Sequence, residues 1–264
     1  MLAGSRVRSI TVPPRKAWIK RWKSFLTWTD SHSDSRWAFR GLGDAQFELL
    51  PTVGRVPRFD PVQERAVVEL FRRRLPEFGM DPEMQDLDLL AIAQHHGIPT
   101  RLLDWTTNPL VAAFFAVTAL PKSRKVKTIT ISGRASLTSI DAQPAARSVA
   151  ARVIAVRVRS QFTLTPTDNP FSISETSFYW PRSVVSRITS QSGLFSVHPF
   201  PDNPWIDPLK APNSFFDIPG EMRNFFQKRL YYLGINDQMI MGGLDGVGAR
   251  LRWQYNARTG LGTL

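Results

Sequence analysis

Residues 108–117, AsnProLeuValAlaAlaPhePheAlaVal, place the tightest constraint on how this chain can fold. Asn108 suits the N-cap of a helix and Pro109 its first position, where a missing N–H costs nothing. The residues that follow are apolar around the whole circumference, and a helix of that kind must be covered on every side. The rest of the chain therefore has to wrap this helix. The approach to it, GlnHisHisGlyIleProThrArgLeuLeuAspTrpThrThr from Gln94 to Thr107, reads as a loop after a helix that Gly97 and Pro99 terminate. It carries His95, His96, Arg101, Asp104, Trp105, Thr106 and Thr107, more polar and ionisable side chains than a plain connector needs. A loop feeding a rigid helix is where ligand-contacting groups are commonly mounted, so 94–116 is the first candidate for a site.

Composition narrows the rest. With 264 residues and 42% hydrophobic content, the chain has material for one large core or two small ones. No run of eighteen apolar residues occurs, and the basic N-terminus lacks the apolar stretch of a signal peptide, so a soluble, cytoplasmic protein without membrane contact is expected. The absence of cysteine excludes disulfides, thiol nucleophiles and sulfur-ligated zinc. Four histidines leave little for a histidine-only site, so no metal is expected. Lys and Arg number 34 against 22 Asp and Glu, a net charge of +12 that favours a polyanionic partner, nucleic acid above all.

Along the chain, residues 1–17 read as a basic arm and 18–264 as one domain. Trp18, Ile19, Trp22, Phe25 and Leu26 recur at helical spacing. Trp37AlaPheArgGlyLeu reads as a short strand, with a hairpin partner expected over 46–50. Helices are expected over 62–75, 86–95 and 222–233, and strands over 127–140 and 153–158. Long loops are expected over 163–183 and 199–219. The glycine-rich 242–248 lacks the spacing of a dinucleotide or P-loop motif and reads as a turn. The pattern is α+β.

The blocks Trp37AlaPheArgGlyLeuGlyAsp, LeuLeuProThrValGlyArg at 49–55 and the whole of 94–109 resemble the FRG domain family, named for the PheArgGly that stands here at 39–41. ArgIleThrSerGlnSerGlyLeuPhe at 187–195, GlyIle at 234–235 and GlyLeuAspGlyValGly at 243–248 look like later blocks of that family, so the resemblance spans roughly 36–253. In block order the chain is also similar to ADP-ribosyltransferases of the arginine-serine-glutamate type. Arg40 with Gly41 resembles their first block, Thr106 and Thr107 ahead of the apolar helix the second, and Gln191SerGlyLeuPhe the third. Gly193 stands where their catalytic glutamate is expected. The resemblance implies a split β-sheet core with a helical N-terminal part, and NAD as substrate.

Cleavage of the nicotinamide bond of NAD builds positive charge at the anomeric carbon and needs an anchored pyrophosphate. Arg40 beside Gly41 suits the pyrophosphate, and Thr106 or Thr107 suits the ribose. Trp105 or Phe195 offers a ring for nicotinamide. His95 or His96 offers a hydroxyl-binding or basic group, and Gln191 of the third block joins them as a candidate catalytic residue. Asp104 is the nearest carboxylate, although a salt bridge with Arg101 is its expected structural role. Such an enzyme would modify a macromolecule, nucleic acid by preference, and would suit a toxin or anti-phage effector with an antitoxin-like neutralising partner. The competing expectation is a non-catalytic nucleic-acid-binding or nucleotide-sensing module.

Overall fold

The computed structural model describes residues 15–119, 149–181 and 193–260. The expected strand over 127–140, most of the arm, and Gln191 lie outside the described residues. Among these residues, six strands form one sheet in the order β4-β5-β2-β1-β3-β6. They are β1 (Trp37–Leu42), β2 (Leu102–Thr106), β3 (Ala151–Arg157), β4 (Ser177–Tyr179), β5 (Gly193–Val197) and β6 (Phe215–Ile218). Every neighbouring pair is antiparallel. The main helices are α1 (Arg15–Asp30), α2 (Pro61–Arg74), α3 (Asp86–His95) and α4 (Pro109–Thr118). Short α5 (Asp207–Lys210) follows, then α6 (Arg223–Tyr232), α7 (Asp237–Met241) and α8 (Gly243–Ala257). The α+β class is thus observed.

Helix α4 is wrapped as its composition demands. Asn108 caps it by accepting from the amides of Leu110 and Val111. Val111, Ala112, Ala113, Phe114, Ala116 and Val117 are buried. They join one core with Trp22, Phe25 and Trp28 of α1, Phe39 of β1, Val153 and Ala155 of β3, and Phe226 and Leu230 of α6. Beside it, α2 and α3 bring Val68, Leu87 and Leu90 against Leu102, Phe195 and Val197. The opposite face of the sheet carries Ala38, Leu42, Leu103, Trp105 and Ile154, covered by Leu49 and Trp205 from irregular segments.

Two glycines set how closely α4 lies on β1. A Cβ at Gly41 would fall 2.0 Å from the Ala112 carbonyl oxygen and 2.6 Å from the Ala116 amide nitrogen. At Gly43 it would fall 1.9 Å from the Ala119 oxygen. Both obstacles are backbone, which cannot swing aside. Buried Arg223 then ties the end of α4 to its surroundings, donating to the carbonyls of Ala116 at 2.7 Å and Val149 at 3.1 Å, and to that of Gly43. Its charge sits among the C-terminal carbonyls of the helix, where the dipole favours a cation.

Several expectations change. Residues 102–106 form a strand rather than a loop, because Leu102, Leu103, Trp105 and Thr106 find burial on the two faces of the sheet. Residues 46–50 form no strand; the turn at Asp44 leads away, and Leu49 packs under the sheet. The expected loops over 163–183 and 199–219 each contain a short strand, β4 and β6, which form the two edges of the sheet by pairing with β5 and β3. The expected glycine turn at 242–248 is mostly the start of α8. Gly242 and Gly243 take positive φ at its entrance, and Gly246 lets the helix lie on α7, where a Cβ would come within 3.0 Å of the Asp237 carbonyl oxygen. Helix α1 begins at Arg15, inside the stretch expected to be arm.

Replacing Gly41 by Ala should cost about 3 kcal/mol or more, since the added methyl meets backbone on α4. Urea denaturation of Gly41→Ala measures it, and a loss below about 0.5 kcal/mol, the scale of a surface substitution, would contradict the close approach.

Candidate functional site

The sheet opens in its middle. Strand β1 pairs with β3 along its whole length, from Trp37 opposite Arg157 to Leu42 opposite Arg152, and β2 pairs with β5 from Leu102 opposite Val197 to Thr106 opposite Gly193. Between β1 and β2 the register holds at one position, Phe39 opposite Thr106. Past that pair the strands part, and the guanidinium of Arg40 donates from Nη1 to the backbone oxygen of Asp104, an acceptor that a neighbouring strand would otherwise use.

A cavity of about 490 Å³ fills this gap, within the size range of small-ligand sites. Arg40, Gly41, His95, Trp105, Thr106 and Phe195 all line it, so six of the expected site residues converge there. Asp104, Gln94, Thr52 and Arg55 complete its polar wall. His96 is exposed just past the end of α3, its ring 6.2 Å from that of Phe71. Thr107 is exposed and is not among the lining residues. Adjacent strand residues project to opposite faces, which separates Thr106 from Thr107, whereas the His96 ring stays edge-on to that of His95 at 5.2 Å yet lies outside the lining.

The electrostatics centre on Arg40. Its side chain is 16% exposed, and Nε is buried with no hydrogen-bond partner among the described residues. Burial lowers its pKa, Asp104 raises it, and the positive charge of Arg55 lowers it again. Two guanidiniums thus bear on one cavity, a field that attracts an anion. Asp104 is the one carboxylate among the described residues that line the cavity. Its Oδ2 lies 3.6 Å from Arg40 Nη1, and its Oδ1 accepts from Gln94 Nε2 at 2.7 Å. Gln94 accepts in turn from Thr100 Oγ1 at 2.5 Å, and the Thr100 amide donates to Thr52 Oγ1 at 3.2 Å. This chain of hydrogen bonds joins the 52–55 turn, the end of α3 and β2 into one frame.

Arg101 does not pair with Asp104. It is buried on the other side of the strand start, where it grips Glu64 through Nε–Oε1 at 3.0 Å and Nη2–Oε2 at 2.5 Å. The Glu64 side chain is fully buried, so this pair fixes α2 to the sheet. Trp105 is 3% exposed, donates from Nε1 to Ser196 Oγ at 2.8 Å and packs edge-on against Phe178 and Trp205. Phe195 belongs to the α2–α3 core. Both aromatics are fixed walls of the cavity, with their rings committed to packing.

Arg55 and Thr52 carry no site role in the sequence pattern, and Gln94 stands there only as the first residue of the 94–116 stretch. Arg55 ends the LeuLeuProThrValGlyArg block, and the turn beneath it is held by Gly54, whose Cβ would fall 1.7 Å from the Pro201 oxygen. His198 was also missed. It follows β5, lies 2.8 Å through Nε2 from the Ser196 hydroxyl, and is 2% exposed. Burial, with Arg40 and Arg101 nearby, pushes its pKa down to about 3. Among the described residues, no three His, Asp or Glu side chains group as metal ligands, and no helix is long and apolar enough to cross a membrane.

Residues 35–125 match the family model of the FRG domain. That stretch contains every lining residue of the cavity except Phe195. No curated protein matches the chain, and no solved structure does.

The depressed pKa of His198 gives a sign for acid stability. The unfolded chain binds a proton near pH 6.5, while the folded one resists it to about pH 3. His198 therefore contributes stability above pH 6.5 that is lost as pH falls, by about 1.4 kcal/mol per unit over this window. His198→Gln should flatten the pH dependence by that amount in denaturation curves from pH 7 to 4. Parallel slopes for the two proteins would show that His198 takes up its proton in the folded state.

Proposed function

We propose that the split-sheet cleft, lined mostly by the residues 35–125 that match the family model of the FRG domain, binds NAD and transfers ADP-ribose to a macromolecule. The observation that carries this reading is the parting of β1 from β2, which leaves Arg40, Arg55, His95, Asp104 and Thr106 on one cavity. In this reading Arg40 and Arg55 hold the pyrophosphate, using the unpartnered Nε of Arg40 among their donors. The bond between the ribose anomeric carbon and the nicotinamide nitrogen breaks, and its electron pair leaves with nicotinamide. The positive charge left on the sugar is stabilised by the Asp104 carboxylate. His95 orients the ribose hydroxyls or takes the proton of the attacking acceptor. Thr106 has its Oγ1 engaged by the Asn108 amide at 3.1 Å and shapes the ribose wall.

Gly193 lies opposite Thr106 at the head of β5 and brings no carboxylate to the position where the resembled transferases have glutamate. Asp104, on β2 shortly before Thr106, takes that duty in the proposal. The net charge of +12 favours nucleic acid as acceptor. Modification of nucleic acid suits a toxin or anti-phage effector, and a neutralising protein would be its natural companion. A second reading, nucleotide sensing without turnover, is favoured by one observation: Asp104 is already engaged by both Arg40 and Gln94.

Incubation with labelled NAD, RNA, DNA and cell lysate tests the proposal. Transfer of label with release of nicotinamide is expected, and Arg40→Ala should lower the rate about 100-fold or more with little change in melting temperature. Asp104→Asn should do the same to the rate while leaving NAD binding within a few-fold. NAD binding without turnover in the wild type selects the sensing reading, and neither binding nor turnover rejects both.

A further inference from the structure

Helix α8 presents a second apolar face that nothing in the sheet core uses. Its inner side is anchored: Gly246 and Gln254 are buried, Trp253 packs 5.1 Å from the ring of Tyr231, and Gln254 Nε2 lies 2.8 Å from the Tyr231 hydroxyl. On a different face, Leu244, Gly248, Leu251 and Tyr255 follow each other at intervals of four, three and four. This spacing draws a straight stripe along a helix and is the seam spacing of paired helices. The stripe is exposed, with Leu244 88%, Leu251 46% and Tyr255 74% accessible, and none of the described residues occupies the space a Cβ would take at Gly248. Exposed Tyr232 and Leu233 end α6, which packs on α8 through Tyr231, and exposed Met241 precedes the helix. One helix face alone falls short of the roughly 1,000 Å² that specific association needs, so a contact here would have to draw on such neighbours as well.

We infer that this face docks against the same face of a second copy of the chain, with the two α8 helices antiparallel. The stripe is self-complementary only in that direction. A two-fold axis between positions 249 and 250 places Leu251 over the partner's Gly248, a knob over a gap, and Leu244 beside the partner's Tyr255. Asp245 and Arg252 are both exposed on one flank of the stripe, seven residues apart. The same axis brings Asp245 beside the partner's Arg252, and symmetry repeats the pair. A parallel arrangement instead puts the Asp245 and Arg252 flanks of the two copies on opposite sides of the seam, where they cannot pair, and sets the two gaps against each other. Charge and shape therefore agree on one geometry. This inference is independent of the NAD reading, since α8 contributes nothing to the cavity.

The full chain should sediment as a concentration-dependent dimer. Leu251→Asp should render it monomeric with unchanged far-ultraviolet circular dichroism and melting behaviour of the monomer. Asp245→Arg should raise the dimer dissociation constant about tenfold, and adding Arg252→Asp to it should restore the original value. The chain has no cysteine, so single cysteines report orientation directly. Leu251→Cys should oxidise to a covalent dimer, because its copies sit about 4.5 Å apart along the axis. Tyr255→Cys should not, because its copies sit about 16 Å apart. A chain that stays monomeric at the highest soluble concentration overturns the inference, as does a dimer that survives Leu251→Asp. Crosslinking through position 255 in place of 251 rejects the antiparallel geometry.

Discussion

The contact between β1 and α4 governs the rest of the molecule. Because Gly41 and Gly43 have no side chains, the helix backbone rests directly on the strand, and small residues such as Ala112 and Ala116 keep it there. A helix seated that low holds Phe39 in the core on one side of Gly41, while Arg40 between them turns to the cavity. The three residues Phe39, Arg40 and Gly41 thus divide core, ligand site and close approach among themselves. Each type is required by where it points.

The cavity gains its character from a sheet that does not close. Continuous pairing of β1 with β2 would satisfy the backbone of Asp104 through the neighbouring strand and leave no room for a ligand. Instead Arg40 satisfies that oxygen from the side, and its charge enters the gap. The hydrogen-bond chain from Thr52 through Thr100 and Gln94 to Asp104 fixes the walls of the gap relative to one another. Behind the cavity, neutral His198 closes the Trp105–Ser196 chain without adding a third positive charge beside Arg40 and Arg101. Polar groups here are placed for geometry, and the burial that stabilises the protein comes from the three apolar clusters around them.

Pairings were less legible than elements. Arg101 and Asp104 are three residues apart and of opposite charge, yet one precedes the strand and the other lies within it, and they leave on different sides, Arg101 to Glu64 and Asp104 to Arg40 and Gln94. The strand itself was hidden because Pro99, Thr100 and Asp104 look like loop chemistry. Its burial comes from β5, far along the chain, which no local pattern encodes. The glycines of 242–248 misled for a related reason: Gly246 is there for contact with α7, and only the packed pair reveals that purpose.

By itself the sequence determined the α+β class, β1, the run of α2 and α3, and the capped, largely buried α4, because each rests on local periodicity and capping. It also singled out Arg40, His95 and Thr106 through residue type and motif. Tertiary structure alone decided which of the adjacent pairs His95–His96 and Thr106–Thr107 faces the cavity, that Arg55 joins Arg40 there, and that Asp104 is its carboxylate. Those outcomes depend on where β1 and β2 part. That parting is set by how low α4 lies on two glycines and by which strands lie outside β1 and β2, relations between residues far apart in the chain that short-range patterns do not carry.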